Sequence, residues 1–64
     1  MDNYEDCVIA YSYSNKDKKW KVEVLNQDNE LIDIKFAITE DRALDLARRI
    51  AKKYNALRIY KQKN

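Results

Sequence analysis

The chain reads as an α+β domain in the order β-β-β-α-β: a small antiparallel sheet with one helix packed on one face. Three observations predict this. Two runs, 20–24 and 32–38, alternate apolar and polar residues with the period of a half-buried strand. A helical stripe opens at Thr39 behind a capping signal, and a short apolar run at 56–60 closes the chain.

Sixty-four residues suffice for one domain over 1–64, with an ordered core expected at about 7–61. A chain of this size buries only about 60% of the surface its unfolded form exposes, so its stability is modest. Hydrophobic residues at 45% and charged residues at 38% place it outside the composition of disordered chains. A single cysteine, Cys7, cannot form an internal disulfide. The start Met1-Asp2-Asn3-Tyr4-Glu5-Asp6 lacks the basic segment and apolar run of a secretory signal. No apolar stretch approaches the roughly 18 residues of a membrane span. A cytoplasmic location and no membrane partner are therefore expected. The sequence contains neither Gly nor Pro, so left-handed turn positions fall to Asn.

Cys7-Val8-Ile9-Ala10-Tyr11-Ser12-Tyr13 is β-branched and aromatic and reads as the first strand, with apolar residues in both alternating sets. Trp20-Lys21-Val22-Glu23-Val24 is the second. Ile32, Ile34, Phe36 and Ile38 alternate with Asp33, Lys35 and Ala37 in the third. If both apolar sets of this hairpin face the core, two registers are open. One pairs Trp20 with Phe36 across the loop Gln27-Asp28-Asn29, with Asn29 in a left-handed bulge position, but opposes Lys21 to Lys35 and Glu23 to Asp33. The other pairs Val22 with Phe36 and Glu23 with Lys35 across a longer loop. The second is favoured, since exposed loops tolerate length.

Thr39 is a suitable N-cap, and Glu40 and Asp41 place negative charge in the first helical turn. Ala43, Leu46, Ala47, Ile50 and Tyr54 form the apolar stripe, flanked by Leu44 and Ala51. Asp45, Arg48, Arg49, Lys52 and Lys53 lie opposite, and Asn55 is the expected left-handed cap. One helix covers one face of a four-stranded sheet. The expected core is Trp20, Val22, Val24, Ile32, Ile34, Phe36, the helix stripe, Leu57 and Ile59. The open face then carries Lys21, Glu23, Leu25, Asp33, Lys35, Arg58 and Tyr60, together with one set from the first strand that could include Tyr11 and Tyr13.

The chemistry that remains is limited. With no His, imidazole catalysis, nucleophilic triads and Cys/His zinc sites are excluded, and no Gly-rich phosphate loop exists. Glu40-Asp41 reads as a capping pair and Asp28-Glu30 as a solvated loop, in a domain too small for a cleft that would tune carboxylates. Cys7 has no flanking base and reads as a packed residue, and Trp20 reads as core. The expectation is a non-enzymatic binding module with no catalytic residues, cofactor or metal.

Two surfaces are candidates for binding. On the open sheet face, Lys21, Lys35, Arg58 and Tyr60 interleave cations with an aromatic ring, the mixture that holds phosphates and stacks bases. On the helix, Arg42, Arg49 and Lys53 form a secondary ridge, much of which dipole complementarity and Asp45–Arg49 pairing already explain. The net charge of +2 is too small to select a partner. Nucleic acid held on the sheet face is the leading expectation. Another protein is the alternative: a second copy pairing the same face, or a host factor bound by a phage-type protein.

From Trp20 to Tyr60 the chain resembles a group of short bacterial and phage proteins that form a domain family of unknown function. The likeness lies in Trp20-Lys21-Val22, in the Thr-capped helix Thr39 to Ala51, and in Leu57-Arg58-Ile59-Tyr60; Lys19 and Asn55 stand where that family commonly has Gly. The same stretch is similar to the arm-binding N-terminal domain of phage integrases, which lays a three-stranded sheet in the DNA major groove. Trp20, Lys21 and Lys35 match that family's Trp-then-basic strand pattern, whereas Glu23 and Asp33 depart from it. The first resemblance implies a fold, the second a DNA-facing sheet.

Overall fold

A computed structural model describes residues 7–62. The strands are β1 (Val8–Ser14), β2 (Lys19–Leu25), β3 (Leu31–Ala37) and β4 (Arg58–Lys61), with the helix α1 (Glu40–Tyr54) between β3 and β4. They form one four-stranded sheet in the order β3-β2-β1-β4. The expected α+β class and element order are present. The sheet is mixed, however: β2 is antiparallel to both of its neighbours, β1 and β3, and β4 joins β1 in parallel. The reason is one of lengths. Fifteen helical residues rise about 22 Å, the span of a seven-residue strand. α1 therefore returns the chain to the level where β3 began, and β4 sets off in the direction of β3 and β1.

β1 and β2 meet through the tight loop 15–18. Ser14 Oγ accepts from the Asp17 N–H at 3.2 Å and donates to Asp17 Oδ2 at 2.9 Å, and the Lys18 N–H donates to the Ser14 carbonyl at 2.7 Å. Lys18 adopts φ 55°, a left-handed position filled here by a residue other than Asn. Pairing Tyr11 with Val22 and Ile9 with Val24 puts the odd-numbered residues of β1 on the same side as the even-numbered residues of β2. Cys7, Ile9, Val22 and Val24 are all buried there.

The second hairpin departs from both expected registers. Its loop is built on Asn26, whose Oδ1 accepts from the N–H groups of Asp28 and Glu30, each at 2.9 Å, while Asn29 takes φ 67°. Leu25 faces Leu31 next to this loop, as the shorter-loop alternative requires. A register shift follows at once, and Val24 then opposes Asp33, Val22 opposes Lys35 and Lys21 opposes Phe36. One extra residue on β3 has turned its alternation over. The like-charge oppositions of Lys21 with Lys35 and of Glu23 with Asp33 are thereby removed. Ile34 and Phe36, expected in the core, are exposed on the far face, and Asp33 and Lys35 lie on the helix side. Asp33 is accommodated by Tyr54, whose hydroxyl donates to Asp33 Oδ2 at 3.3 Å.

α1 follows its sequence signals closely. Thr39 Oγ1 accepts from the Arg42 N–H at 3.2 Å, and Asn55 closes the helix at φ 56°. Ala43, Ala47 and Ile50 are buried against Cys7, Ile9, Val22 and Val24, and Tyr11, Trp20, Ile32, Leu46, Ala51, Tyr54 and Ile59 pack around them. Ile32, the extra residue of β3, is the member of its apolar run that keeps a core contact. Leu57, expected in the core, is 68% exposed and lies just outside β4.

Candidate interaction surface

α1 packs on one face of the sheet, and among the described residues no helix or strand lies over the other. The register defines the rows of that open face. Ile34, Glu23, Ala10 and Tyr60 form one row, and Phe36, Lys21 and Ser12 form the next. Leu31, Leu25, Val8 and Arg58 make a third row at the loop end. Ala10 and Ser12, the short side chains of this face, are buried, with Glu23, Lys21 and Tyr60 on the strands beside them. They form a low central floor between a ridge on β2 and Tyr60. Ile34, Phe36 and Leu31 are 36%, 43% and 52% exposed, a contiguous apolar border along β3.

Charge on this face is sparse and largely engaged. Lys21 Nζ lies 3.7 Å from Glu23 Oε2, so the β2 ridge carries one charge of each sign. Lys19 sits over the Phe36 ring at 5.9 Å and Arg58 over the Tyr60 ring at 5.0 Å. Of the four residues singled out in the sequence, Lys21, Arg58 and Tyr60 lie on this face, and Lys35 does not. Tyr11 and Tyr13 are also on the helix side, where they contact Trp20 at ring separations of 6.3 and 5.6 Å. Trp20 in turn receives Lys61, 5.4 Å from its ring, and Lys61 pairs with Glu40 at 3.0 Å. The residues missed by sequence reasoning are Ile34 and Phe36. The signal for them was the pair of like-charge oppositions, which could have been relieved by a bulge as well as by a longer loop.

The helix ridge is exposed as expected. Arg49 pairs with Asp45 at 3.1 Å and Lys53 lies over the Tyr54 ring at 5.5 Å, so two of its three cations have neighbours of their own. Arg42 and Arg49 also border an open groove of about 520 Å³ with Phe36, Ala37, Ile38, Asp45 and Leu46. Among the described residues no three His, Cys, Asp or Glu side chains gather in a way that could hold a metal ion. No helix among them is long and apolar enough to cross a membrane. Cys7 is buried in the core. No protein-family model, curated protein or solved structure matches the chain. The two family resemblances therefore rest on the sequence motifs alone.

Proposed function

We propose that this chain is a non-enzymatic binding module that contacts another protein through its open sheet face. The observation that carries this reading is the position of Ile34 and Phe36. A chain with a small core leaves two of its larger apolar side chains on the face opposite the helix, beside Leu31 and Leu25. Exposed apolar clusters rimmed by polar groups are characteristic of protein-contact surfaces. The same register weakens the nucleic-acid reading. It removes Lys35 from the face, the β1–β2 pairing sets Tyr11 and Tyr13 on the helix side as well, and Lys21 lies close to Glu23. Arg58 over Tyr60 is the observation that still favours a nucleic acid, since this pair combines a phosphate-binding cation with a stacking ring.

The test is site-specific photocrosslinking in the producing cell, with a photoreactive phenylalanine at position 36 and, separately, at position 49 on the helix. Protein adducts from position 36 and none from position 49 are the expected result. Nucleic-acid adducts at position 36 would transfer the proposal to the second reading, and adducts from position 49 alone would remove the sheet face from it.

A further inference from the structure

We infer that the partner of the open sheet face is a second copy of this chain, related by a two-fold axis lying between the two sheets, perpendicular to the strands, at the level of Val22. This inference rests on the sheet-face reading above and goes beyond it in naming the partner and the geometry. It follows from the sign pattern on β2. Lys21 and Glu23 point to the same face, two residues apart, 3.7 Å between their charged atoms. The stated rotation reverses the strand direction and lays the Lys21 row of one copy over the Glu23 row of the other. Each Lys21 then meets the partner copy's Glu23, and four charges of alternating sign close into a ring. Each charge gains a second opposite neighbour, which offsets the desolvation that burial of a lone pair would cost.

The apolar groups match under the same operation. Phe36 lies over the second copy's Ile34, Ile34 over its Phe36, and Ser12 over its Ala10. The buried Ala10 and Ser12 leave no tall side chain at the centre of the face, so two sheets can approach to the roughly 10 Å of an aligned sandwich. A two-fold parallel to the strands does worse. It sets Lys21 over Ser12 and Glu23 over Ala10, leaving both charges without an opposite partner across the interface, and sets the β3 apolar residues over β4. Four strands at about 4.8 Å spacing and seven residues at about 3.4 Å make a face of about 19 Å by 24 Å. Pairing two such faces buries about 900 Å², near the lower limit of about 1,000 Å² for specific interfaces.

The experiment is a charge-exchange series followed by sedimentation equilibrium, with circular dichroism confirming that each variant is folded. Wild type is expected to be dimeric. Lys21→Glu alone and Glu23→Lys alone each set like charges across the axis and should weaken self-association by about tenfold or more. An equimolar mixture of the two variants should form a heterodimer, because every cross-axis contact again has opposite signs; the double variant K21E/E23K should dimerise as wild type does. The pair within one chain cannot produce this result, since mixing does not change it. Wild type that stays monomeric at millimolar concentration, or a mixture that stays monomeric, overturns the inference. Phe36→Asp separates the two levels. If it abolishes the dimer while the charge variants have no effect, the sheet face stands and this axis falls; if the Phe36→Asp dimer persists, the sheet-face reading falls with it.

Discussion

β2 and β3 carry the same kind of sequence and meet opposite fates. Residues 20–24 of β2 and 32–36 of β3 both alternate apolar and polar residues, yet Val22 and Val24 are fully buried while Ile34 and Phe36 are exposed. Alternation establishes that a strand has two distinct faces; it does not establish which face turns inward. For β2 the choice is fixed by β1 on one side and α1 above it. β3 is an edge strand, held to the sheet by β2 alone, and one extra residue near Leu31 is enough to turn it over. The outcome is a core concentrated on β1, β2 and α1 and an apolar border available to a partner.

The largest expected effect lies on the buried side of this comparison. Val24→Asp would place a carboxylate in the core directly opposite Asp33, at a cost of about 4 kcal/mol or more, enough to unfold a domain of this size. Circular dichroism should show a loss of structure at 25 °C. The corresponding change on β3, Phe36→Asp, should leave the spectrum native and, at concentrations where both proteins are monomeric, shift stability by under about 1 kcal/mol. Equal destabilisation by the two variants would break the distinction between the strands.

Next in size is the helix contact. Ile50→Ala should cost about 2–4 kcal/mol in urea titration, since Ile50 is the largest α1 side chain buried against the sheet. Asn26→Ala should cost about 1–2 kcal/mol by removing the acceptor of two loop N–H groups, and it should loosen the β2–β3 hairpin more than the β1–β2 hairpin in amide exchange. Lys18→Gly is the smallest, a stabilisation of about 1 kcal/mol or less from relief of the left-handed conformation, read as a small rise in Tm.

Much of the fold was legible because its signals are local. Thr39, Glu40, Asp41 and Asn55 mark the helix ends by hydrogen bonding and charge, and the stripe Ala43, Ala47, Ile50 follows from helical period. Asn29 and Asn55 occupy left-handed positions because nothing better suited is present in a sequence without Gly. The facing of β3 was not legible, because both registers considered assumed that every apolar set faces inward. Like charges opposed in one of them indicated a conflict, but a longer loop and a bulge relieve it equally well, and the local Asn26 hydrogen bonds shape the loop without fixing where β3 resumes its pairing. The candidate site inherits that uncertainty residue by residue. Lys21 lies on β2 and Arg58 and Tyr60 on β4, whose sides were readable, whereas Lys35 turned over with β3, and Ile34 stands opposite Glu23 where the favoured register had Lys35.

The most direct test of the account is the register of β2 against β3 measured by cross-strand nuclear Overhauser effects in isotope-labelled protein. The account predicts backbone contacts between Val22 and Lys35, Glu23 and Ile34, and Lys21 and Phe36. Backbone contacts placing Val22 directly opposite Ile34 or Phe36 would return the apolar side of β3 to the core and contradict both the open face described here and the interaction assigned to it.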